Sequence, residues 1–97
     1  MDFAKFKKSV AAAAPPGGLS AAASALWWDA KGDWGKAHAA AQEGDDKAGA
    51  WVHAYLHRKE GDLSNAGYWY RRAGKSAATS SLKVEWEAIA RALLKKA

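Results

Sequence analysis

Two stretches of the chain carry the same local instruction to stop one helix and start another: Lys31-Gly32-Asp33-Trp34-x-x-Ala37 and Glu60-Gly61-Asp62-Leu63-x-x-Ala66. Glycine takes the left-handed conformation just past a helix end without steric penalty. Aspartate is a preferred N-cap, its carboxylate accepting a hydrogen bond from an otherwise orphaned backbone amide. With the two residues adjacent, the chain has almost no length in which to wander, so the flanking helices are expected to lie side by side and antiparallel. Two helical hairpins follow from this pattern alone.

The composition fits. About a quarter of the residues are alanine, the best helix former, and β-branched residues are few. A chain of 97 residues makes one small domain that buries only about 60 to 65% of its unfolded surface. Six tryptophans, three tyrosines and two phenylalanines compensate, since each large aromatic buries roughly 150 to 250 Å². All-α is the expected fold class. There is no cysteine, which removes disulfide frameworks and thiolate metal sites and makes a cytoplasmic location the default. Lys5, Lys7 and Lys8 ahead of the run from Val10 to Ala14 superficially suggest an export signal, but that run falls short of the roughly 7 to 15 apolar residues required. No stretch approaches the ~20 apolar residues of a membrane span, so no membrane role is expected.

Walking the chain, residues 2–14 are expected to form a short helix with Phe3, Phe6 and Val10 on one face. Pro15-Pro16-Gly17-Gly18 breaks it. Residues 1–18 therefore constitute an N-terminal arm with a Pro/Gly hinge, and its two phenylalanines offer a way to fold back on the remainder, residues 19–97. Helices are then expected over about 19–31 with Ser20 as N-cap, 33–43, 46–60, 62–73 and 81–96. The helix over 46–60 is apolar around most of its circumference and belongs in the middle of a bundle. The last one, with Leu82, Trp86, Ile89, Ala90, Leu93 and Leu94 at helical spacing, has the clearest amphipathic pattern.

The turn pattern resembles the tetratricopeptide repeat, over about residues 19 to 73. Aligned on Gly32 and Gly61, the family's small residue in the first helix of each pair falls on Ala25 and Ala54, and that of the second helix on Ala37 and Ala66. Its next aromatic position falls on Ala41 and Tyr70, and its following alanine on Gly44 and Ala73. The resemblance implies two helical hairpins plus a C-terminal capping helix, working as a protein or peptide interaction module. The chain departs from the family in its repeat length, 29 residues from Gly32 to Gly61 against ~34, and in lacking a proline at the close of either repeat. The segment from Trp51 to Asp62, with Tyr68-Trp69-Tyr70-Arg71-Arg72 after it, also resembles small uncharacterised bacterial proteins, which brings no activity with it.

Two constellations carry chemistry. Arg58, Arg71, Arg72 and Tyr68, with Trp51 and Tyr55 beside them, pair guanidinium forks suited to carboxylates with aromatic surface. An acidic or C-terminal peptide is expected to dock there. His53 and His57, four apart, point to one side of their helix with Tyr68 nearby and form the alternative, a small-ligand or metal-binding site. Glu60 could add a third ligand, but the spacing lacks the intervening glutamate of a hydrolytic zinc motif, so a hydrogen-bonded pair, interior or lining a groove, is the expectation and no metal or other cofactor is assigned. The net charge of +5 favours acidic partners, but without a continuous basic stripe nucleic acid is not expected as a partner. No nucleophile stands beside a base and no glycine loop frames a phosphate, so a non-enzymatic role is expected. A free apolar end in so short an array would be covered by homodimerisation.

Overall fold

The computed structural model describes residues 1–44 and 46–94, and over these it is all-helical: α1 (Phe3–Ser9), α2 (Ala21–Ala30), α3 (Trp34–Glu43), α4 (Lys47–Lys59), α5 (Leu63–Ala73) and α6 (Leu82–Leu94). Each helix opens on a side-chain cap. Asp2, Ser20, Asp33, Asp46, Asp62 and Ser81 accept from the backbone amides of Lys5, Ala23, Lys36, Gly49, Asn65 and Val84 at 2.8 to 3.2 Å. A cap of this kind stabilises a helix by about 1 kcal/mol.

The two Gly-Asp junctions close α2 and α4 in the same way. Gly32 and Gly61 have φ of +84° and +88°. The Asp33 amide donates back to the Trp28 carbonyl at 3.0 Å and the Asp62 amide to that of His57 at 2.9 Å. Each aspartate thus ends one helix through its amide and starts the next through its carboxylate. Helix α5 ends likewise, with Gly74 left-handed and the Lys75 amide on the Tyr70 carbonyl at 3.0 Å.

Packing is densest between α4 and α5 and between α2 and α3, while α4 also touches α3, α2 and α6. The prediction that α4 sits in the middle is met, since Val52, Ala54, Tyr55 and Leu56 are all buried along with both of its histidines. Alanines at the close approaches, Ala25, Ala37, Ala41, Ala54 and Ala66, are fully buried or nearly so. Trp27, Leu26, Phe6, Leu56 and Ile89 fill the main core. Of the six tryptophans, Trp27 and Trp86 are buried, and Trp28, Trp34, Trp51 and Trp69 remain partly accessible. Gly49 explains how α3 and α4 come close at their junction: a Cβ there would meet the Gly44 carbonyl oxygen at 2.1 Å.

The arm docks. Phe6 stacks on Trp86 with centroids 5.9 Å apart, and Phe3 meets the same indole edge-on. Helix α1 ends at Ser9 rather than near residue 14. The exposed alanines 11–14 have nothing to bury, and Pro15 disfavours helical geometry in the residue before it. The Ser9 hydroxyl instead donates to the Phe6 carbonyl at 2.6 Å and accepts from the Trp27 indole N–H at 3.1 Å. The expected end of the last helix at Lys96 lies outside the described residues. Among the described residues, no helix is long and apolar enough to cross a membrane.

Candidate functional site

All three histidines of the chain meet on one flank of α4. His53 and His57 project from α4 and His38 from α3, with ring centroids 4.5 Å apart for His38 and His53, 5.3 Å for His38 and His57, and 5.0 Å for His53 and His57. His38 Nε2 and His53 Nε2 are 2.8 Å apart, so one donates and the other accepts. His57 Nδ1 is 2.7 Å from Glu60 Oε1. The rings are held by indoles: Trp69 stacks on His53 with centroids at 3.9 Å and Trp34 on His38 at 4.7 Å. Trp34 is in turn pinned by its indole N–H to the Leu56 carbonyl at 3.2 Å. Burial, and then the proximity of His38 and His57, push the proton affinity of His53 down to about 4. Burial and His57 also lower that of His38, against the opposing pull of Glu60.

Beside this cluster, between α3, α4 and α5, lies a cavity of about 440 Å³ lined by His53, Trp69, Arg72, Lys47 and Gln42 among others. Lys47 also borders a neighbouring hollow of about 370 Å³ with Trp51 and Lys75. The two form one strip in which cations sit over aromatic rings. Lys75 Nζ lies 4.2 Å from the Trp51 centroid, and the Arg72 guanidinium 5.2 Å from that of Trp69 and 5.7 Å from that of Tyr68. Arg72 also donates to the Tyr68 hydroxyl at 3.1 Å. Among the described residues, Lys47, Arg72 and Lys75 have no carboxylate in ion-pair range. The nearest acid in the lining, Asp46, is engaged as the α4 N-cap.

A second polar region faces α2 and α6. Asp29, buried on α2, accepts from the Tyr55 hydroxyl at 2.9 Å and from Lys59 Nζ at 2.8 Å. Glu85, buried on α6, accepts from Arg58 at 2.8 Å and from the Tyr70 hydroxyl, and Arg58 also donates to the Ser80 carbonyl. Burial and the adjoining carboxylates raise the pKa of both tyrosines, holding them neutral. Over this network, between α1, α2, α4 and α6, a groove of about 510 Å³ is bordered by Lys7, Asp29, Tyr55, Lys59, Lys83 and Trp86.

The six residues expected to hold a peptide therefore divide. Tyr68, Arg72 and Trp51 stand on the basic-aromatic strip. Arg71 is exposed on α5. Tyr55 and Arg58 belong to the buried network, their polar atoms engaged with Asp29 and Glu85. His53 and His57 are both buried, and Tyr68, expected beside them, contacts Trp69 instead. Sequence reasoning did not join His38 to the pair, nor Lys47 and Lys75 to Arg72. A signal for the first existed: His38 lies six residues before Gly44 and His53 seven after Asp46, so a short turn between antiparallel helices sets them at one level. The chain matches no protein-family model, and no curated protein or solved structure is similar to it at a significant level.

Proposed function

We propose that the protein is a non-enzymatic interaction module that recognises an acidic or C-terminal peptide, on a scaffold of two tetratricopeptide-like hairpins plus a capping helix. The scaffold reading is supported by the packing of α2 on α3 and α4 on α5, by the left-handed glycines at both junctions, and by α6 covering apolar surface of α2 and α4 with Trp86, Ile89 and Ala90. The single observation that carries the functional reading is the set of cations Lys47, Arg72 and Lys75. They line accessible hollows over Trp51 and Trp69 and, among the described residues, have no carboxylate in ion-pair range.

Family analogy points to the other groove, on α2 and α4, but there Lys59 and Lys7 are already paired with Asp29 and Glu87. An incoming carboxylate would have to displace an internal one. On the strip it would meet cations that, among the described residues, form no ion pair, while the indoles offer apolar contact to the rest of the peptide. Charge of this kind speeds encounter and sets specificity, and is weakened by salt.

Selection from a displayed library of peptides with free C-termini tests the reading. Enriched sequences are expected to be rich in Asp and Glu, to bind less tightly as salt is raised, and to lose at least tenfold in affinity to Arg72→Glu/Lys75→Glu with the circular dichroism spectrum unchanged. Absence of enrichment, or equal binding by the charge-reversed protein, would refute it.

A further inference from the structure

We propose that His38, His53 and His57 form a binding site for one divalent transition-metal ion of the zinc, nickel or cobalt class. The three imidazoles come from two helices and converge so that one nitrogen of each lies within 4.8 Å of the others. Zinc–imidazole bonds of about 2.0 to 2.1 Å in tetrahedral geometry set ligand nitrogens roughly 3.3 Å apart. The 2.8 Å separation of His38 Nε2 and His53 Nε2 thus needs to open by only about half an ångström. His57 offers the third nitrogen, within 4.8 Å of the other two.

Two further features distinguish the cluster from a chance meeting of side chains. Glu60 Oε1 accepts from the Nδ1–H of His57 at 2.7 Å, which leaves Nε2 as the nitrogen available to an ion. A carboxylate behind a ligating histidine is the usual outer-shell partner of such sites. Secondly, Trp69 and Trp34 stack on His53 and His38, fixing two of the ring planes in advance.

The chemistry of the donors selects the ion. Three neutral imidazoles suit zinc, nickel, copper(II) or cobalt, and the hard oxygen-seeking ions magnesium and calcium are poorly served. Three protein ligands leave a fourth position for water or an exchangeable group. The cavity of about 440 Å³ that shares His53 supplies a route of entry.

The test is isothermal titration of chelator-treated full-length protein with zinc, nickel and cobalt chlorides, together with the visible absorption spectrum of the cobalt form. The expected result is one ion per chain, a rise in melting temperature, and cobalt bands of a four- or five-coordinate nitrogen-rich site. His38→Ala, at a position only partly buried, should weaken zinc binding at least a hundredfold while its circular dichroism stays native. Glu60→Gln, which touches no ion, should weaken it about 10- to 100-fold. Absence of binding heat and thermal shift with all three ions would overturn the proposal. So would zinc binding to folded His38→Ala with unchanged affinity, which would reduce the site to an ordinary histidine pair on one helix.

Discussion

Helix α4 divides two polar regions that solve the same problem in opposite ways. Towards α2 and α6, two buried carboxylates are each met by a tyrosine hydroxyl and a cation, Asp29 by Tyr55 and Lys59, Glu85 by Tyr70 and Arg58. Towards α3 and α5, three imidazoles face one another, and cations sit on aromatic rings with no carboxylate in ion-pair range among the described residues. The first region is closed: both buried carboxylates have a hydroxyl and a cation as partners, supplied by α4 and α5. The second is receptive, with donors for a cation and positive charge for an anion held in place but not consumed. Our proposals accordingly place function on the second flank and leave the first the task of holding α4 in register.

The comparison breaks most visibly at Glu85. Glu85→Ala strands Arg58, which is only 18% exposed, and should cost about 3 kcal/mol, the lower end for one partner lost from a buried pair. Chemical denaturation read by tryptophan fluorescence measures it; a loss below about 1 kcal/mol would mean the network is not what holds α6. Tyr55→Phe is milder at about 1 kcal/mol, because Lys59 still satisfies Asp29.

Acidity and alkalinity separate the two flanks. In the metal-free protein His53 binds its proton near 4, against 6.5 in an unfolded chain. The unfolded state therefore takes up the proton first as pH falls. Stability that is complete above about 6.5 should be lost progressively down to about 4, and His53→Gln should flatten that part of the profile. The groups facing His53 are His38 from α3, His57 on α4 itself and Arg72 from α5 across the cavity. On the other flank, Tyr55 and Tyr70 hold their protons more tightly folded than unfolded, where the value is 10.0. Their contribution is complete below pH 10 and lost above it, and the Tyr55→Phe/Tyr70→Phe protein should show less of that alkaline loss. The smallest effect belongs to the strip: Arg72→Glu and Lys75→Glu should each shift stability by no more than about 0.5 kcal/mol, since neither neutralises an internal acid.

Much of the scaffold is legible before any coordinates. The Gly-Asp pairs, the capping residues and the apolar girth of α4 are local signals, and each specifies backbone geometry within a few residues. The candidate site is less so, because its logic is non-local. Tyr55 and Arg58 lie on the same helix as Trp51, yet their partners Asp29 and Glu85 are 26 and 27 residues away, so their capture inside the bundle follows only from which helices touch. Asp29 and Glu85 carry no local signal that marks them as buried; only the hydroxyl and the cation opposite each do so. His38 escapes for a related reason: helical spacing compares residues on one helix, and the cluster is built across two. Trp51 is legible as binding surface, whereas the stacking of Trp34 and Trp69 on His38 and His53 follows only from the contact between helices.

The assignment of the two flanks rests most directly on where a ligand is felt, and the six indole N–H groups report it in a single nitrogen–proton correlation spectrum. Titrated with an acidic peptide selected by the free-C-terminus library, Trp51 and Trp69 should move, while Trp27, bound to Ser9, and Trp86, bound to the Leu26 carbonyl, stay fixed. Movement of Trp86 with Trp51 and Trp69 unchanged would place binding over the carboxylate network and contradict the account.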